Sequence, residues 1–92
     1  MLSEISLRKE DEVLIADFNK LEDYDSFETI VKRIIDITNG KIAERVDGPD
    51  SRVCFLHIDS ADLVLINNPY GNCLKAKTPG AKLILQNIIE KF

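Results

Sequence analysis

One histidine and two cysteines are the residues of this chain best suited to nucleophilic, acid–base or metal-binding chemistry. They are His57, Cys54 and Cys73. Any mechanism that uses an imidazole as a general base, a nucleophile or a metal ligand must therefore use His57. Asp59 follows two residues later, on the same face of a predicted strand. Such a pair can orient a general base or supply two metal ligands.

The spacing of His57 and Asp59 also arises by chance, and the sequence signals no third metal ligand. We therefore favour a structural interpretation, in which a histidine on the sheet face lies near an aspartate in a turn. The alternative is a small metal-binding or ligand-binding protein, or an enzyme, that uses these two residues. We predict no catalytic residue, no cofactor and no metal site.

Both cysteines are predicted to be ordinary buried thiols. Cys54 and His57 are three positions apart in one predicted strand, so alternation places them on opposite faces and disfavours a Cys–His dyad. Neither Cys54 nor Cys73 has the CxxC spacing of a redox or zinc site.

Further catalytic and nucleotide-binding patterns are absent from the sequence. It contains no GxGxxG, GxxxxGK[ST] or GxSxG motif, and its turn aspartates do not match a calcium-binding loop. We therefore predict a protein that is not an enzyme.

The charge distribution favours a protein partner over nucleic acid. The formal net charge is −4, which disfavours nucleic-acid binding because that binding requires clustered Lys and Arg. Residues 10–28 contain eight acidic side chains and one lysine, a net charge of −7. We predict that this region binds a basic protein, with a solvated acidic face as the alternative. The candidate protein-binding residues are Glu10, Asp11, Glu12, Asp17, Glu22 and Asp23.

Membrane and secretion signals are also absent. No apolar run approaches the ~20 residues that span a bilayer, and no basic stretch precedes an apolar segment near residue 1. We predict no membrane partner and a cytoplasmic location, where thiols stay reduced.

The first half of the chain predicts a hairpin followed by a helix. Residues 4–9 and 13–18 have strand patterns separated by an acidic turn. Asp25 precedes a helical stripe and has Glu28 three positions later, the arrangement of a capping box. Asn39-Gly40 is predicted to end this helix.

The second half predicts four strands and a closing helix that Thr78-Pro79 begins. The strands cover 41–46, 53–58, 63–67 and 73–77. The predicted order is ββαββββα over one domain, residues 1–92. Such an order indicates an α+β two-layer sandwich, an antiparallel sheet of about six strands with two helices on one face.

Two helices on one face leave the other face of the sheet open. In the strand 53–58, alternation gives one set with Val53, Phe55 and His57, and an opposite set with Cys54, Leu56 and Ile58. One set is expected to be exposed, which favours homodimerisation through the sheet face.

Several segments resemble a known group of proteins. They are residues 47–52, 55–59, 63–65 and 71–74, together with 24–27 at the start of the first helix. These segments are similar to a small bacterial family of uncharacterised proteins, a domain of unknown function, and the resemblance implies the fold. The layout is also similar to that of small acidic immunity proteins, in which an acidic face blocks a basic toxin. The predicted function is a non-enzymatic protein–protein interaction module, with the immunity protein as one form.

Overall fold

The computed structural model describes residues 5–19 and 24–92. Glu4, which opened the first predicted strand, lies outside the described residues. The element order ββαββββα confirms the prediction. The elements are β1 (Ile5–Glu10), β2 (Val13–Phe18), α1 (Tyr24–Thr38), β3 (Lys41–Asp47), β4 (Arg52–Ile58), β5 (Ala61–Asn68), β6 (Gly71–Ala76) and α2 (Pro79–Lys91).

The strands of the described residues form one antiparallel sheet in the order β1-β2-β6-β5-β4-β3. The last strand, β6, lies between β2 and β5, and so joins the first hairpin to the meander formed by β3 to β6. At one edge, β3 contains a register shift between Ile42 and Glu44. Ala43 is the extra residue there, and it bulges out of the ladder.

Both helices pack on the same face of the sheet, as predicted. The apolar stripe of α1 and the apolar side of α2 share one core with the inward side chains of the strands. The largest buried members are Phe27, Ile30, Ile34, Leu56, Ile58, Leu65, Leu74, Leu85 and Ile88. Burial of each such side chain stabilises the fold by about 1.5–3 kcal/mol. The α+β two-layer architecture is therefore correct.

The helix ends follow local chemistry. Asn39 adopts a left-handed conformation with φ 57° and its N–H donates to the Ile35 carbonyl at 2.7 Å, which ends α1. Thr78 caps α2, since its hydroxyl accepts from the Ala81 N–H at 3.2 Å and Pro79 occupies the first helical position.

The start of α1 differs from the predicted capping box. The helix already includes Tyr24, so Asp25 lies in its first turn rather than at the cap. A carboxylate there still favours the positive end of the helix dipole. Glu28 turns instead to the sheet, where it contacts Arg45 and Arg52. Neither α1 nor α2, the two helices of the described ranges, has the length and apolar character needed to cross a membrane.

A glycine between α1 and β3 lets the backbone approach β4 closely. A Cβ atom on Gly40 would lie 2.5 Å from Ile58 Cγ1 and 3.1 Å from the His57 carbonyl oxygen.

We expect Gly40→Ala to lower the free energy of unfolding by about 1–3 kcal/mol in chemical denaturation, because the side chain of Ile58 and the backbone of His57 must shift. Gly80→Ala is the matched control, since no atom lies within 4 Å of its added Cβ. It should be neutral or stabilising by up to about 1 kcal/mol. Equal destabilisation by both variants would contradict this assignment.

Candidate functional site

The face of the sheet opposite the helices carries an ordered set of side chains. Directly paired residues on neighbouring strands share a face, so the register defines rows across the sheet. The first row runs Arg8, Ile15, Lys75, Val64, Phe55 and Glu44. The second row runs Ser6, Asp17, Cys73, Ile66, Val53 and Val46. We call these twelve residues the open face. None of them belongs to the core that contains the helices.

An apolar stripe crosses the β6-β5-β4-β3 side of the open face. Phe55 and Val46 are 41% and 47% exposed, and Val53, Val64 and Ile66 are half-buried. A contiguous apolar surface of this kind marks an interaction site more often than isolated exposed residues do. One of the two sets of β4 was expected to be exposed, and in the structure it is the set with Val53, Phe55 and His57.

Two residues of the open face are buried although no described helix covers them. Ile15 is 1% exposed and Cys73 is 7% exposed. Arg8 and Lys75 are the cross-strand neighbours of Ile15, and long cationic side chains cover apolar neighbours while keeping their charge in water. The β1-β2 side of the open face is therefore shielded by charged side chains.

A groove of about 360 Å³ lies on the open face near the β4–β5 turn. Its lining combines an apolar wall with charged groups at its rim. The residues that matter here are Phe55, Val64, Asp62, Lys75 and Lys77. This lining would accommodate an apolar side chain of a partner, with an acidic group of that partner beside the lysines at the rim.

Arg8 organises the charges at the β1 side of the open face. Its Nε donates to Asp17 Oδ2 at 2.6 Å, and its guanidinium also contacts Glu10. The hydrogen bond with Asp17 is the main reason that the pKa of Arg8 is raised. Asp17 is therefore an ion-paired residue rather than part of a purely acidic surface.

His57 has a different partner from the one that the sequence suggested. Its Nδ1 lies 2.8 Å from Asp62 Oδ1, across the β4–β5 hairpin. The predicted partner, Asp59, is not on the strand face. Asp59 and Ser60 form the two-residue turn, with φ values of 48° and 67° that are typical of a type I′ turn. Within residues 5–19 and 24–92, no three His, Cys, Asp or Glu residues are grouped to hold a metal ion.

Both cysteines are buried thiols, as predicted. Cys54 points to the core and His57 to the open face, so the two residues lie on opposite sides of β4. Burial is the main cause that raises the pKa of Cys54 and of Cys73. A raised pKa disfavours the nucleophilic thiolate.

The acidic residues of 10–28 do not form one surface in the described residues. Glu10, Asp11 and Glu12 lie at the β1–β2 turn, which Asp11 enters with φ 54°. Glu28 instead contacts Arg45 on β3 and Arg52 on β4, and β3 is the edge strand opposite β1. Glu22 and Asp23 lie outside the described residues.

Glu28 links α1 to β3 and β4. Arg45 donates to both of its carboxylate oxygens, at 2.9 and 3.0 Å, and Arg52 also contacts it. The Arg52 guanidinium lies 4.8 Å from the ring centroid of Phe27, in a cation–π contact. The hydrogen bond from Arg45 is the main cause that lowers the pKa of Glu28. No local sequence pattern indicates this cluster, because Arg45 and Arg52 are 17 and 24 residues from Glu28.

A second, polar groove of about 310 Å³ lies where β2 ends and β5 turns into β6. Its lining includes Arg8, Asn19, Asn68 and Tyr70. The Asn68 side-chain oxygen accepts from the Tyr70 N–H at 2.8 Å, so this amide shapes the turn. No motif in the sequence indicates this groove.

Comparisons with protein-family models, with curated proteins and with solved structures give no match to this chain. The resemblance to a family of uncharacterised proteins therefore stays a prediction.

The Glu28 cluster gives a pH-dependent contribution to stability. The pKa of Glu28 is lowered in the folded state, so the contribution is present above its ordinary pKa of about 4.3 and lost as pH falls through the folded-state value. We expect Glu28→Gln to lower the free energy of unfolding by about 0.5–1 kcal/mol at pH 7, since solvent screens this half-exposed group. Urea denaturation should show the difference from wild type shrinking toward pH 2. Glu90→Gln is the control, because Glu90 is exposed on α2. A difference that does not depend on pH would refute the assignment.

Proposed function

We propose that the chain is a non-enzymatic protein–protein interaction module that binds its partner through the open face. The observation that carries this proposal is the apolar stripe that ends in the exposed Phe55 and Val46. Burying apolar surface at about 25 cal/mol per Å² supplies a favourable free energy for association. Aromatic side chains are enriched at the centres of such interfaces.

The titratable groups support a binding role over catalysis. His57 faces solvent and contacts a single carboxylate, Asp62, which is 85% exposed. Burial raises the pKa of Cys54 and Cys73, which disfavours the thiolate that nucleophilic catalysis needs. An enzyme or a ligand-binding protein that uses His57 and Asp59 is the less supported proposal.

The acidic surface supports binding less strongly than the open face does. Asp17 contacts Arg8, and Glu28 contacts two arginines, so their charges are balanced within the chain. The exposed carboxylates at the β1–β2 turn carry less negative charge than residues 10–28 do as a whole. An immunity protein that blocks a basic toxin would depend on this turn, and we rank that form second.

Site-specific photo-crosslinking tests the proposed surface. A benzophenone amino acid in place of Phe55 should form covalent adducts with protein in lysate of the source cells, because that side chain lies in the apolar stripe. The same substitution at Leu83 is the control, since Leu83 is 64% exposed on α2, away from the open face. Adducts are identified by mass spectrometry.

The result that would overturn the proposal is equal crosslinking at both positions, or none at position 55. Reversal of the charges at Asp11 and Glu12, which lie in the β1–β2 turn outside the rows of the open face, separates the two forms. Adducts at position 55 that survive the reversal support the open face, and their loss would assign the contact to the acidic turn.

A further inference from the structure

We propose that the groove near the β4–β5 turn takes an acidic polypeptide segment of the partner. An apolar side chain of this segment packs against Phe55 and Val64, and its carboxylates meet Lys75 and Lys77. This inference rests on the proposed function and names the chemistry of the partner. The partner is opposite in charge to the basic protein that residues 10–28 suggest.

The two lysines of the groove carry charges that the chain itself does not balance. Both line the groove, Lys75 from β6 and Lys77 directly after it. No carboxylate of the described residues forms an ion pair with either ammonium group. Asp62 also lines the groove, but its Oδ1 lies 2.8 Å from Nδ1 of His57, on the strand away from β6. The groove therefore attracts negative charge although the net charge of the chain is −4.

The other charges in the first row of the open face do not attract an acidic group. At the β1 end, Arg8 is already paired with Asp17 and Glu10. At the β3 end, Glu44 repels a carboxylate. Charge complementarity therefore places the acidic part of the partner beside β6, between these two ends.

The apolar wall of the groove lies on one side of these lysines. Val64 is the direct cross-strand neighbour of Lys75, and Phe55 is the direct neighbour of Val64. Phe55 is 41% exposed and Val64 is half-buried, so an apolar group above them removes further apolar surface from water. Ile15, on the other side of Lys75, is already covered. The apolar contact is therefore made over β5 and β4.

The size and shape of the groove favour a polypeptide over a small molecule. Its volume of about 360 Å³ lies near the lower end of the range of about 300–1,000 Å³ for small-molecule pockets, and it is open to solvent along the sheet. A small molecule would keep much of its surface in water there. A polypeptide can insert one side chain and cover the groove with its own backbone.

The strand spacing indicates the sequence pattern of the partner. Neighbouring strands lie about 5 Å apart, so Val64 and Phe55 stand about 5 and 10 Å from Lys75. Alternate residues of an extended segment share a face and lie about 7 Å apart. An apolar residue and an acidic residue two positions apart can therefore contact the wall and Lys75 together. A further acidic residue reaches Lys77, about 7 Å along β6 from Lys75.

Peptide display on the purified chain tests the inference. Random linear peptides displayed on phage are selected for binding, and the selected peptides are synthesised with a fluorescent label for anisotropy titrations. We expect enrichment of sequences in which an apolar residue and an acidic residue are two positions apart. Their binding should weaken between about 0.1 and 1 M salt, because the Debye length falls from about 10 to 3 Å.

Paired lysine variants locate the charge contact. Lys75→Gln combined with Lys77→Gln should weaken binding of the selected peptides about tenfold, since two solvent-screened ion pairs are lost. Glutamine keeps part of the aliphatic stem that covers Ile15. Lys32→Gln combined with Lys91→Gln is the matched control, because these exposed lysines lie on the helices and their loss changes the net charge equally. This control should leave the affinity unchanged.

A second pair of variants tests the apolar wall. Phe55→Ala should weaken peptide binding about tenfold or more, as expected for an aromatic residue at the centre of an interface. Leu83→Ala is the control, an exposed apolar residue on α2 that should leave the affinity unchanged. Circular dichroism and thermal unfolding check that each variant folds.

The outcomes separate this inference from the proposed function. Selection of basic peptides, of peptides without acidic residues, or of none overturns the inference, and so does equal weakening by the two lysine pairs. Self-association that Phe55→Ala abolishes would assign the groove to a second copy of the chain and also overturns it. In each of these cases, crosslinks from position 55 to another protein would still support the proposed function. Absence of both the crosslinks and the selected peptides would refute the two proposals together.

Discussion

The insertion of β6 between β2 and β5 is the constraint on which the rest of the structure depends. This strand gives Leu74 and Ala76 to the core and directs Cys73 and Lys75 to the opposite face. Because it pairs on both sides, it aligns the first hairpin with the meander in one register. That register fixes which side chains stand in each row of the open face.

Local patterns in the sequence predicted most of the fold. The helical spacing of Phe27, Ile30 and Ile34 identified α1 and its buried side, and strand alternation separated Cys54 from His57. These signals are local, since each depends on residues within one element. They place every helix and strand of the described ranges and the face that the helices cover.

The parts that the sequence did not predict depend on contacts between distant elements. The strand order decides that Glu28 meets Arg45 and Arg52, and no local pattern encodes that contact. The partner of His57 changed from Asp59 to Asp62 because the β4–β5 turn has only two residues. The open face itself was anticipated as an exposed set, but its rows required the complete register.

The register shift in β3 also determines what the edge of the sheet can do. Ala43 takes up one extra position, so Arg45 points toward Glu28 while Glu44 points to the open face. If Ala43 instead took a regular place in the ladder opposite Phe55, the two side chains would exchange faces, and one helix contact and one surface charge would be lost together. Deletion of Ala43, by contrast, would leave a regular ladder with both side chains on their present faces, so at this edge the sheet tolerates the loss of one residue at position 43 but not its straightening.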